Sequence, residues 1–552
     1  MFVRIKPASG HRYLQIAQNY REGGKVKQKI LCTLGRLEEL TESGKLDSLA
    51  ESLLRFSHTL KAVNLHRQGT LQALSDLSIG PALVFGRLWR ELGIAEVIKE
   101  VLADRRFEFD VERAVFLTVL HRLFDPGSDR AAEKWKQDFR IEGAEAIELH
   151  QLYRAMGWLG EPVGLPSSHG APELGCRTTK DHIEELLFAR RRDLFSTLSV
   201  LFFDTTSIYF EGEGGESLGQ LGHSKDHRPD LKQMVVGAAL DEKGRPVCCE
   251  ILPGNATDVK LLLPVIKGMQ SRFEAGSFCV VADRGMISAK ALQALEAPGS
   301  GIEYILGCRM RRQKEVRDEV LGHRGSSVQE AHFDRKASEE PLLLKVKEVH
   351  VEGRRYIVCF NPEQAQKDAA SRQAIVESLR EKLKQGDKAL VGNRGYRKYL
   401  KTDPGGTRFS IDEQKLKEEA RYDGTWVLRT NTRYTAEEVA FQYKQLWMVE
   451  QAFRAVKSVL ETRPIYHKCD DTIRGHVFCS FLALMLMKEL LSCLEAEGRS
   501  FEWEDIKRDL TALREVEIAM IGDCYHLRTE LRGCCFDVLK AAGVAVPPTL
   551  RR

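Results

Sequence analysis

The chain has 552 residues, of which 29% are charged and 43% are hydrophobic, and its formal net charge is +4 at pH 7. This composition is typical of a soluble globular protein with two to four domains, and it excludes disordered and fibrous proteins. A net charge this small does not by itself indicate a nucleic-acid partner, so local clusters of basic residues have to carry such a prediction.

Cysteine usage and hydropathy predict the compartment. Thirteen cysteines are scattered without a CxxC pair, which favours reduced thiols in the cytoplasm over disulfides or a zinc ribbon. The N-terminal sequence MFVRIKPASGHRY has no apolar h-region, so we expect no secretory signal. The longest apolar run near the C-terminus, Val477 to Met487, is too short to span a bilayer. We therefore expect a cytoplasmic protein with no membrane partner.

Residues 1–60 are predicted to form a β-rich region. The alternating runs FVRIK, RYLQIAQNYR and KVKQKILCTLG lie between glycine-containing turns and predict two or three strands, followed by a polar helix from Leu37. Their Arg and Lys residues are typical of a solvated sheet or of a sheet that faces DNA, and the sequence leaves both alternatives open.

Residues 61–160 are predicted to form a helical DNA-binding module, because their apolar residues follow a helical period. Arg130, Lys134 and Lys136 make one end of this module basic. Such a cluster is typical of a DNA contact or of a solvated helix face.

Residues 161–180 are rich in Gly, Pro and Ser and predict a linker. Residues 181–308 then give the element order strand, strand, strand, helix, strand, helix, strand. In SVLFFDTTSIYF an apolar run leads into Asp204, and in FCVVADRGM another ends on Asp283, as in buried strands whose ends present a carboxylate. The order predicts an α/β fold with a ribonuclease H-like mixed sheet flanked by helices. Both aspartates should lie at the same end of neighbouring strands.

Residues 309–422 are predicted to form a β-rich insertion domain. The segment PLLLKVKEVHVEGRRYIVCF has the alternation of a hairpin closed by Glu352 and Gly353. Residues 423–495 return to the core with the strand DGTWVLRTN and a late acidic helix. Residues 496–552 form a C-terminal region without a chemical motif.

The late segment TAEEVAFQYKQLWMVEQAFRAVK predicts one long amphipathic helix. Thr435 and Glu438 form a capping-box start, and no Gly or Pro interrupts the turns that follow. Tyr443, Glu450 and Lys457 are seven residues apart in turn and therefore share one face. The alternative to a functional stripe is a partly buried Glu–Lys pair that steadies the helix.

Three acidic residues far apart in the chain, Asp204, Asp283 and Glu450, form the candidate catalytic and metal-binding set. Many enzymes that cut phosphodiesters use two divalent ions roughly 3.5–4 Å apart to stabilise the nucleophile and the leaving oxygen. Mg²⁺ prefers oxygen ligands and keeps several waters, so three carboxylates suffice for two Mg²⁺ ions, with Mn²⁺ as a substitute. Asp204 would bridge both ions. Each aspartate alone could be a loop cap, but two in this strand order, followed by an acidic helix, favour the metal site.

Several segments resemble those of one enzyme family. They are FFDTTSIYF, GHSKDHRPDLKQ, PVCCEILPGNATD, VVADRGM, DGTWVLRTN and YKQLWMVEQAFRAVK, with RPIYH and RGHVF beyond, and they are spread over about half of the chain. The family is the DDE transposases of bacterial insertion sequences, in the group whose ribonuclease H-like core carries a β-rich insertion before the catalytic Glu. The resemblance implies that Asp204, Asp283 and Glu450 bind the metal ions. It also implies that Tyr443 and Lys457 of a YREK-type signature contact phosphates at the transposon end.

The Arg of that signature falls at Leu446, which cannot bind phosphate, so either Lys444 or Arg454 substitutes for it or this branch uses another contact. Basic residues near the carboxylates are further candidates, since phosphate contacts dominate affinity for DNA. The full set of candidate DNA contacts is Tyr443, Lys444, Arg454, Lys457, Arg284, Lys225, Arg228, Arg463 and His467. The alternative for His467 is a core histidine, and for Lys225 and Arg228 it is a solvated loop.

The resemblance implies a transposase that binds the terminal inverted repeats of its own element. It would cleave double-stranded DNA there with Mg²⁺ and join the freed 3′ ends to target DNA, as a homodimer that holds two ends at the nucleoid. Two alternatives stay open: a ribonuclease H-like nuclease or resolvase that cuts without strand transfer, and an inactive derivative that only binds DNA.

Overall fold

The structure is a computed structural model, and it describes residues 1–54, 65–163, 177–191, 199–273, 278–297, 300–323, 327–333, 342–385, 398–402 and 409–552. Most of the predicted linker, residues 161–180, lies outside the described residues. The chain divides into two compact units. The smaller unit comprises Met1–Ser78, Ala512–Arg532 and Pro547–Arg552, and the larger unit comprises Ile79–Thr511 and Gly533–Val546.

The elements are numbered along the chain. The strands are β1 (Phe2–Ala8), β2 (His11–Glu22), β3 (Lys25–Arg36), β4 (Leu71–Ser78), β5 (Val200–Tyr209), β6 (Gln233–Leu240), β7 (Pro246–Pro253), β8 (Phe278–Ala282), β9 (Ile302–Gly307), β10 (Val328–Phe333), β11 (Leu342–Val351), β12 (Arg354–Phe360), β13 (Leu400–Thr402), β14 (Phe409–Ile411), β15 (Thr425–Thr430), β16 (Arg514–Met520), β17 (Asp523–Arg528) and β18 (Leu550–Arg551). The α-helices are α1 (Leu37–Glu42), α2 (Lys45–Leu54), α3 (Gly80–Glu91), α4 (Ile94–Val101), α5 (Val111–Phe124), α6 (Asp129–Trp135), α7 (Leu149–Gly160), α8 (Thr179–Arg191), α9 (Asp258–Phe273), α10 (Ala289–Leu295), α11 (Pro362–Gln385), α12 (Glu413–Ala420), α13 (Ala436–Lys444), α14 (Trp447–Arg454), α15 (Asp470–Ala496), α16 (Trp503–Thr511) and α17 (Cys535–Ala541).

The smaller unit begins with the predicted N-terminal strands. β1, β2 and β3 form an antiparallel sheet and α1 begins at Leu37, so the predicted strands and polar helix are confirmed. A second sheet has the strand order β18-β17-β16-β4. The predicted C-terminal region, residues 496–552, is therefore divided, and its parts Ala512–Arg532 and Pro547–Arg552 belong to the smaller unit. β16 pairs with β4 from the other end of the sequence, a long-range contact that no local pattern reveals.

The larger unit is organised around one sheet. Among the described residues this sheet has nine strands in the order β10-β11-β12-β15-β9-β8-β5-β6-β7. β5, β6 and β7 form an antiparallel meander, whereas β8 and β9 run parallel to β5. The predicted order of strands and helices is confirmed, with α9 after β7 and α10 after β8. Buried side chains of these strands and of α9, such as Leu201, Val280 and Met269, form the core of this mixed α/β fold.

Within the predicted insertion, residues 309–422, β13 and β14 form a separate two-stranded sheet, whereas the other three strands join the core sheet. β10, β11 and β12 extend the large sheet, because β12 pairs with β15 and β15 pairs with β9. The β11–β12 hairpin closes at Glu352 and Gly353, as predicted, and both residues have positive φ. The inserted strands thus continue the core sheet, since the returning strand β15 supplies the edge on which they build.

Of the predicted helical DNA-binding module, residues 61–160, the part from Gly80 onward forms helices α3 to α7, which pack against the long helix α15, whereas the earlier part contains the strand β4. The DNA-binding role stays a prediction. Glycine permits a close approach of α15 to α7, because a Cβ at Gly475 would lie 2.0 Å from the carbonyl oxygen of Met156. α15 has 27 residues, so it is longer than the predicted apolar run and long enough to cross a membrane, and its most apolar window has a mean hydropathy of 1.9. However, 72% of its most apolar window is buried inside the protein, as in a core helix.

The late acidic segment is not the single helix that was predicted. Thr435 and Glu438 form the predicted capping box at the start of α13. The amides of Leu446 and Val449 then bond to carbonyls three residues earlier, and this tighter turn separates α13 from α14. After α14 the backbone forms a π-helical turn at Ala455–Val459. No Gly or Pro marks the break, so the helical period of the sequence carried no signal for it.

Candidate active site

Asp204 and Asp283 lie side by side across two parallel strands. The pairing of β5 with β8 ends at Phe203 and Ala282, and each aspartate is the next residue of its chain segment. Neighbouring strands are about 4.8 Å apart, so the two carboxylates start from adjacent points of the sheet. The apolar run before Asp204 predicted that this residue lies at a strand end, and that prediction is wrong. β5 continues past Asp204 to Tyr209, because the following residues pair with β6 and are buried.

Glu450 reaches the same place from α14. Asp204, Asp283 and Glu450 line one open cleft of about 1010 Å³, together with Lys444 and Trp447 among others. Among the described residues, neither Asp283 nor Glu450 forms an ion pair within 4 Å. The arrangement gathers three carboxylates that are far apart in sequence and leaves two of them without a neutralising side chain.

The electrostatic environment of Asp204 is acidic and partly buried. Burial, together with the neighbouring carboxylates of Asp283 and Asp258, raises the pKa of its carboxyl to about 6. Lys225 and the backbone amide of Thr205 act in the opposite direction. A divalent cation beside these carboxylates would favour their ionised forms.

Lys225, predicted as a DNA contact, lies inside this site. Its ammonium group donates to the backbone oxygen of Thr205 at 2.7 Å and to the Thr205 hydroxyl at 2.8 Å. It also lies 3.3 Å from Asp258 and 3.9 Å from Asp204. The Lys225 charge therefore offsets that of the two carboxylates.

Asp258 is a site residue that the sequence analysis missed. It is the first residue of α9, and its Oδ1 accepts a hydrogen bond of 2.6 Å from the Thr205 hydroxyl. An acidic residue in the first turn of a helix is common for electrostatic reasons alone, so its position gave no distinct signal. Asp258 adds a fourth carboxylate next to Asp204.

Tyr443 holds Asp283 from the side of α13. Its hydroxyl donates to Asp283 Oδ1 at 2.8 Å, and burial, followed by the charge of Asp283, raises the pKa of the phenol. The approach depends on Gly307 at the end of β9. A Cβ there would lie 2.4 Å from the Tyr443 hydroxyl oxygen, so any larger residue would displace the ring.

Lys457 is engaged in an ion cluster within the protein. Its ammonium lies 2.7 Å from Asp226 Oδ1, and the guanidinium of Arg463 lies 2.6 Å from Asp226 Oδ2. Burial lowers the pKa of Lys457, and the contact with Asp226 opposes that change. Asp226 belongs to the polar loop GHSKDHRPD, for which the sequence left a solvated loop as an alternative to a DNA contact. The ammonium of Lys457 and the guanidinium of Arg463 hold Asp226 in place.

The other predicted DNA contacts occupy different environments. Arg284 and Lys444 line the cleft, and Arg454 is exposed on α14. Arg228 is exposed and forms an ion pair of 2.8 Å with Asp230. Of these basic side chains, Arg284 and Lys444 share the cleft with the carboxylates.

His467 lies in a buried polar cluster. Its Nε2 is 3.2 Å from His476 Nδ1 and 3.5 Å from Asp129 Oδ2. Burial, with a smaller contribution from the charge of Arg122, lowers the pKa of His467 to about 4. This placement corresponds to the core-histidine alternative. Lys136 of the helical module is also engaged, since it donates to the backbone oxygens of Ala144, Glu145 and Ile147.

Trp447 is a second residue that the sequence analysis did not select. It precedes Glu450 by three positions on α14, lines the cleft and keeps 52% of its surface exposed. The sequence pattern suggested only an apolar packing role. An exposed indole beside the carboxylates provides a flat apolar surface at the mouth of the site.

Comparisons with known proteins match two parts of the chain to families. Residues 3–63 match the N-terminal domain of the IS1634 family transposases, and residues 196–486 match the transposase DDE domain. The second match covers more than half of the chain and includes the cleft described above. No curated protein matches the chain.

Among solved structures, the chain is similar to a piggyBac transposase in a cryo-EM structure of its synaptic complex with hairpin DNA. The identity is 9%, the TM-score is 0.35, and the similarity covers 78% of this chain and 79% of that one. A similarity at this level carries no argument about the site. The family matches decide the assignment: the chain belongs to the transposase DDE domain family and is a transposase of the insertion-sequence type.

Proposed function

We propose that this transposase cleaves the ends of its own element and joins them to target DNA through Asp204, Asp283 and Glu450. The observation that carries the proposal is the convergence of these three carboxylates on one open cleft. We also propose that β5 to β9 form a ribonuclease H-like core. Three antiparallel strands followed by two parallel ones, with Asp204 on the first strand and Asp283 after the fourth, support this assignment.

The carboxylates have the donor chemistry of a magnesium site. Hard oxygen ligands in an open cleft suit Mg²⁺, which keeps part of its water shell, and Mn²⁺ is the expected substitute. Two such ions would activate the attacking water or 3′-hydroxyl and stabilise the leaving oxygen. Asp204 would serve both ions, Asp283 one and Glu450 the other. Tyr443 would fix the orientation of the Asp283 carboxylate through its hydrogen bond.

DNA would lie over the cleft on the basic side chains around it. Arg284 and Lys444 line the cleft, and exposed Arg454 extends the surface along α14. We assign phosphate contacts to these residues, to Arg228, and to Lys457 and Arg463 once DNA competes with Asp226. In this assignment Lys444 or Arg454 supplies the cation that the signature lacks at Leu446. A homodimer at the nucleoid, holding two transposon ends, follows from the family resemblance.

The test uses a supercoiled donor plasmid that carries the coding region with its native flanking DNA, a target plasmid and the purified full-length protein. With Mg²⁺ or Mn²⁺, we expect excised element and joined products. Asp204→Asn should bind the flanking DNA but neither cleave nor join it. Asp104→Asn is the matched control, because Asp104 is exposed in the turn after α4.

Each outcome distinguishes the alternatives. Cleavage by Asp204→Asn at the wild-type rate would overturn the assigned site. Cleavage without joined products would favour a nuclease or resolvase, and binding without cleavage by the wild type would indicate an inactive derivative.

A further inference from the structure

Three potential metal ligands of different chemistry meet on the hairpin β16–β17 of the smaller unit. Glu517, Cys524 and His526 each offer one ligand atom, and these atoms all lie within 4.8 Å of one another. Glu517 and His526 are directly paired across the two strands. Cys524 lies two positions before His526, so its side chain is on the same face of the sheet. The three side chains are half-buried.

Neighbouring groups hold two of these side chains in place. The Ser75 hydroxyl, from β4, donates to Glu517 Oε2 at 3.0 Å. The carboxylate of Glu515 lies 3.7 Å from His526 Nδ1, and Arg551 donates to Glu515 through two bonds of 2.9 Å. A carboxylate beside a histidine ring fixes the ring orientation, which is a common arrangement around metal ligands.

The local backbone is irregular at the same point. The pairing of β16 with β4 shifts register between Glu517 and Ile518, which is a β-bulge or similar irregularity. Bulges re-aim side chains and are frequent beside functional sites. Here the bulge adjoins the residue that would supply the carboxylate ligand.

We propose that Glu517, Cys524 and His526 bind a zinc ion. A thiolate, an imidazole and a carboxylate form a mixed sulfur, nitrogen and oxygen donor set, which suits Zn²⁺ and is unlike the all-oxygen set of the catalytic cleft. A water molecule would complete the tetrahedron. Binding releases the Cys524 thiol proton to solvent, and the Cys524–Glu517 hydrogen bond of 3.2 Å is replaced by bonds to the ion. The ion would link β16 to β17 and stabilise the four-stranded sheet.

The test separates this site from the catalytic one. Full-length protein carrying Asp204→Asn, Asp283→Asn and Glu450→Gln removes the competing carboxylates, so the result does not depend on the proposed catalytic function. We expect this protein to retain about one zinc per chain after dialysis. When loaded with Co²⁺, it should show a thiolate-to-metal charge-transfer band in the near ultraviolet.

Cys524→Ser and His526→Gln, each in the same background, should lose the band and the zinc. Cys32→Ser is the matched control, because Cys32 is an exposed cysteine of the same unit, and it should keep both. Circular dichroism and thermal melting verify that each variant is folded, and Zn²⁺ should raise the melting temperature of the parent but not of His526→Gln. Absence of zinc and of the band in the folded parent, or their persistence in both ligand variants, would overturn the proposal.

Discussion

Two acidic clusters of the larger unit differ in how many cations of the protein lie close to their carboxylates. Between α8, β7 and α9, the carboxylates of Asp181, Glu184 and Glu250 are buried against Lys180 and Arg272. In and beside the candidate active-site cleft, Lys225 is the one described residue that forms an ion pair within 4 Å with any of Asp204, Asp283, Asp258 and Glu450, and it contacts Asp204 and Asp258. In the first cluster every one of the three carboxylates is ion-paired within the protein. In the second, Asp283 and Glu450 have no such partner among the described residues, as the proposed metal site requires.

Short ion pairs connect the residues of the first cluster. The Arg272 guanidinium lies 2.6 Å from Glu184 and 2.9 Å from Glu250, and Lys180 lies 2.6 Å from Asp181. Burial alone would raise the pKa of Asp181, but Lys180 and Arg272 lower it. Carboxylates in such a cluster have a structural role, because each one already forms an ion pair with a cation of the protein. Unmatched carboxylates in an open cleft are what a cation site requires.

The largest expected effect is the loss of DNA cleavage when a carboxylate of the cleft is replaced. Asp283→Asn or Glu450→Gln should each reduce the rate of DNA cleavage by about 10³-fold, because in the proposed site each substitution removes a metal ligand, which costs several kcal/mol of transition-state stabilisation. The double variant should be no more than about tenfold worse than either single one, because the ligands act as one unit. Single-turnover cleavage of a labelled transposon end measures this. If the loss of cleavage rate in the double variant equalled the product of the two single losses, the two carboxylates would act independently.

Removing a cation from the cluster of Asp181, Glu184 and Glu250 should lower the stability of the protein. Arg272→Met leaves Asp181, Glu184 and Glu250 buried without their shared partner, and we expect a loss of about 3 kcal/mol in the free energy of unfolding. Urea unfolding followed by tryptophan fluorescence measures this loss. Asp283→Asn is the comparison, and its stability should equal or exceed that of the wild type. A stable Arg272→Met protein would remove the distinction between the clusters.

A smaller effect should come from the buried histidine cluster. The pKa of His467 is about 4 in the folded protein and near 6.5 when unfolded, so the folded state binds the proton less tightly. The stability contribution is complete above pH 6.5 and is lost as the pH falls towards 4, which amounts to about 2 kcal/mol between pH 7 and pH 5. His467→Gln should flatten that pH dependence of urea unfolding, whereas His150→Gln, at an exposed site, should leave it unchanged. An unchanged slope in His467→Gln would contradict this burial argument.

The smallest effect tests how the cleft is positioned. Gly307→Ala should displace the Tyr443 ring and remove its hydrogen bond to Asp283, and Tyr443→Phe should remove the hydrogen bond alone. A hydrogen bond to a charged group is worth about 1.5–3 kcal/mol, so we expect cleavage to slow by roughly tenfold in both. Gly285→Ala is the control, because a Cβ there meets no atom within 4 Å. Wild-type rates in Tyr443→Phe would show that the phenol does not position Asp283.

The sequence alone determined the order of elements and the identity of the chemical groups. Apolar runs in SVLFFDTTSIYF and FCVVADRGM predicted β5 and β8, and the capping box at Thr435 predicted the start of α13. These features are local, because each depends on residues within a few positions of one another. Asp204 and Asp283 could be selected for the same reason, since a carboxylate next to an apolar run is visible in the sequence, whereas Glu450 was selected from its helical spacing with Tyr443 and Lys457 and from the family resemblance.

Tertiary structure alone decided which of these groups have their charge matched. Asp226 is held by Lys457 and Arg463, Asp258 joins Asp204, and Glu517 meets Cys524 and His526 across a hairpin. The pairing of β16 with β4 and the addition of the inserted strands to the core sheet were likewise invisible. Such contacts depend on the packing of segments far apart in the chain, and no local periodicity encodes which distant partner a side chain will meet.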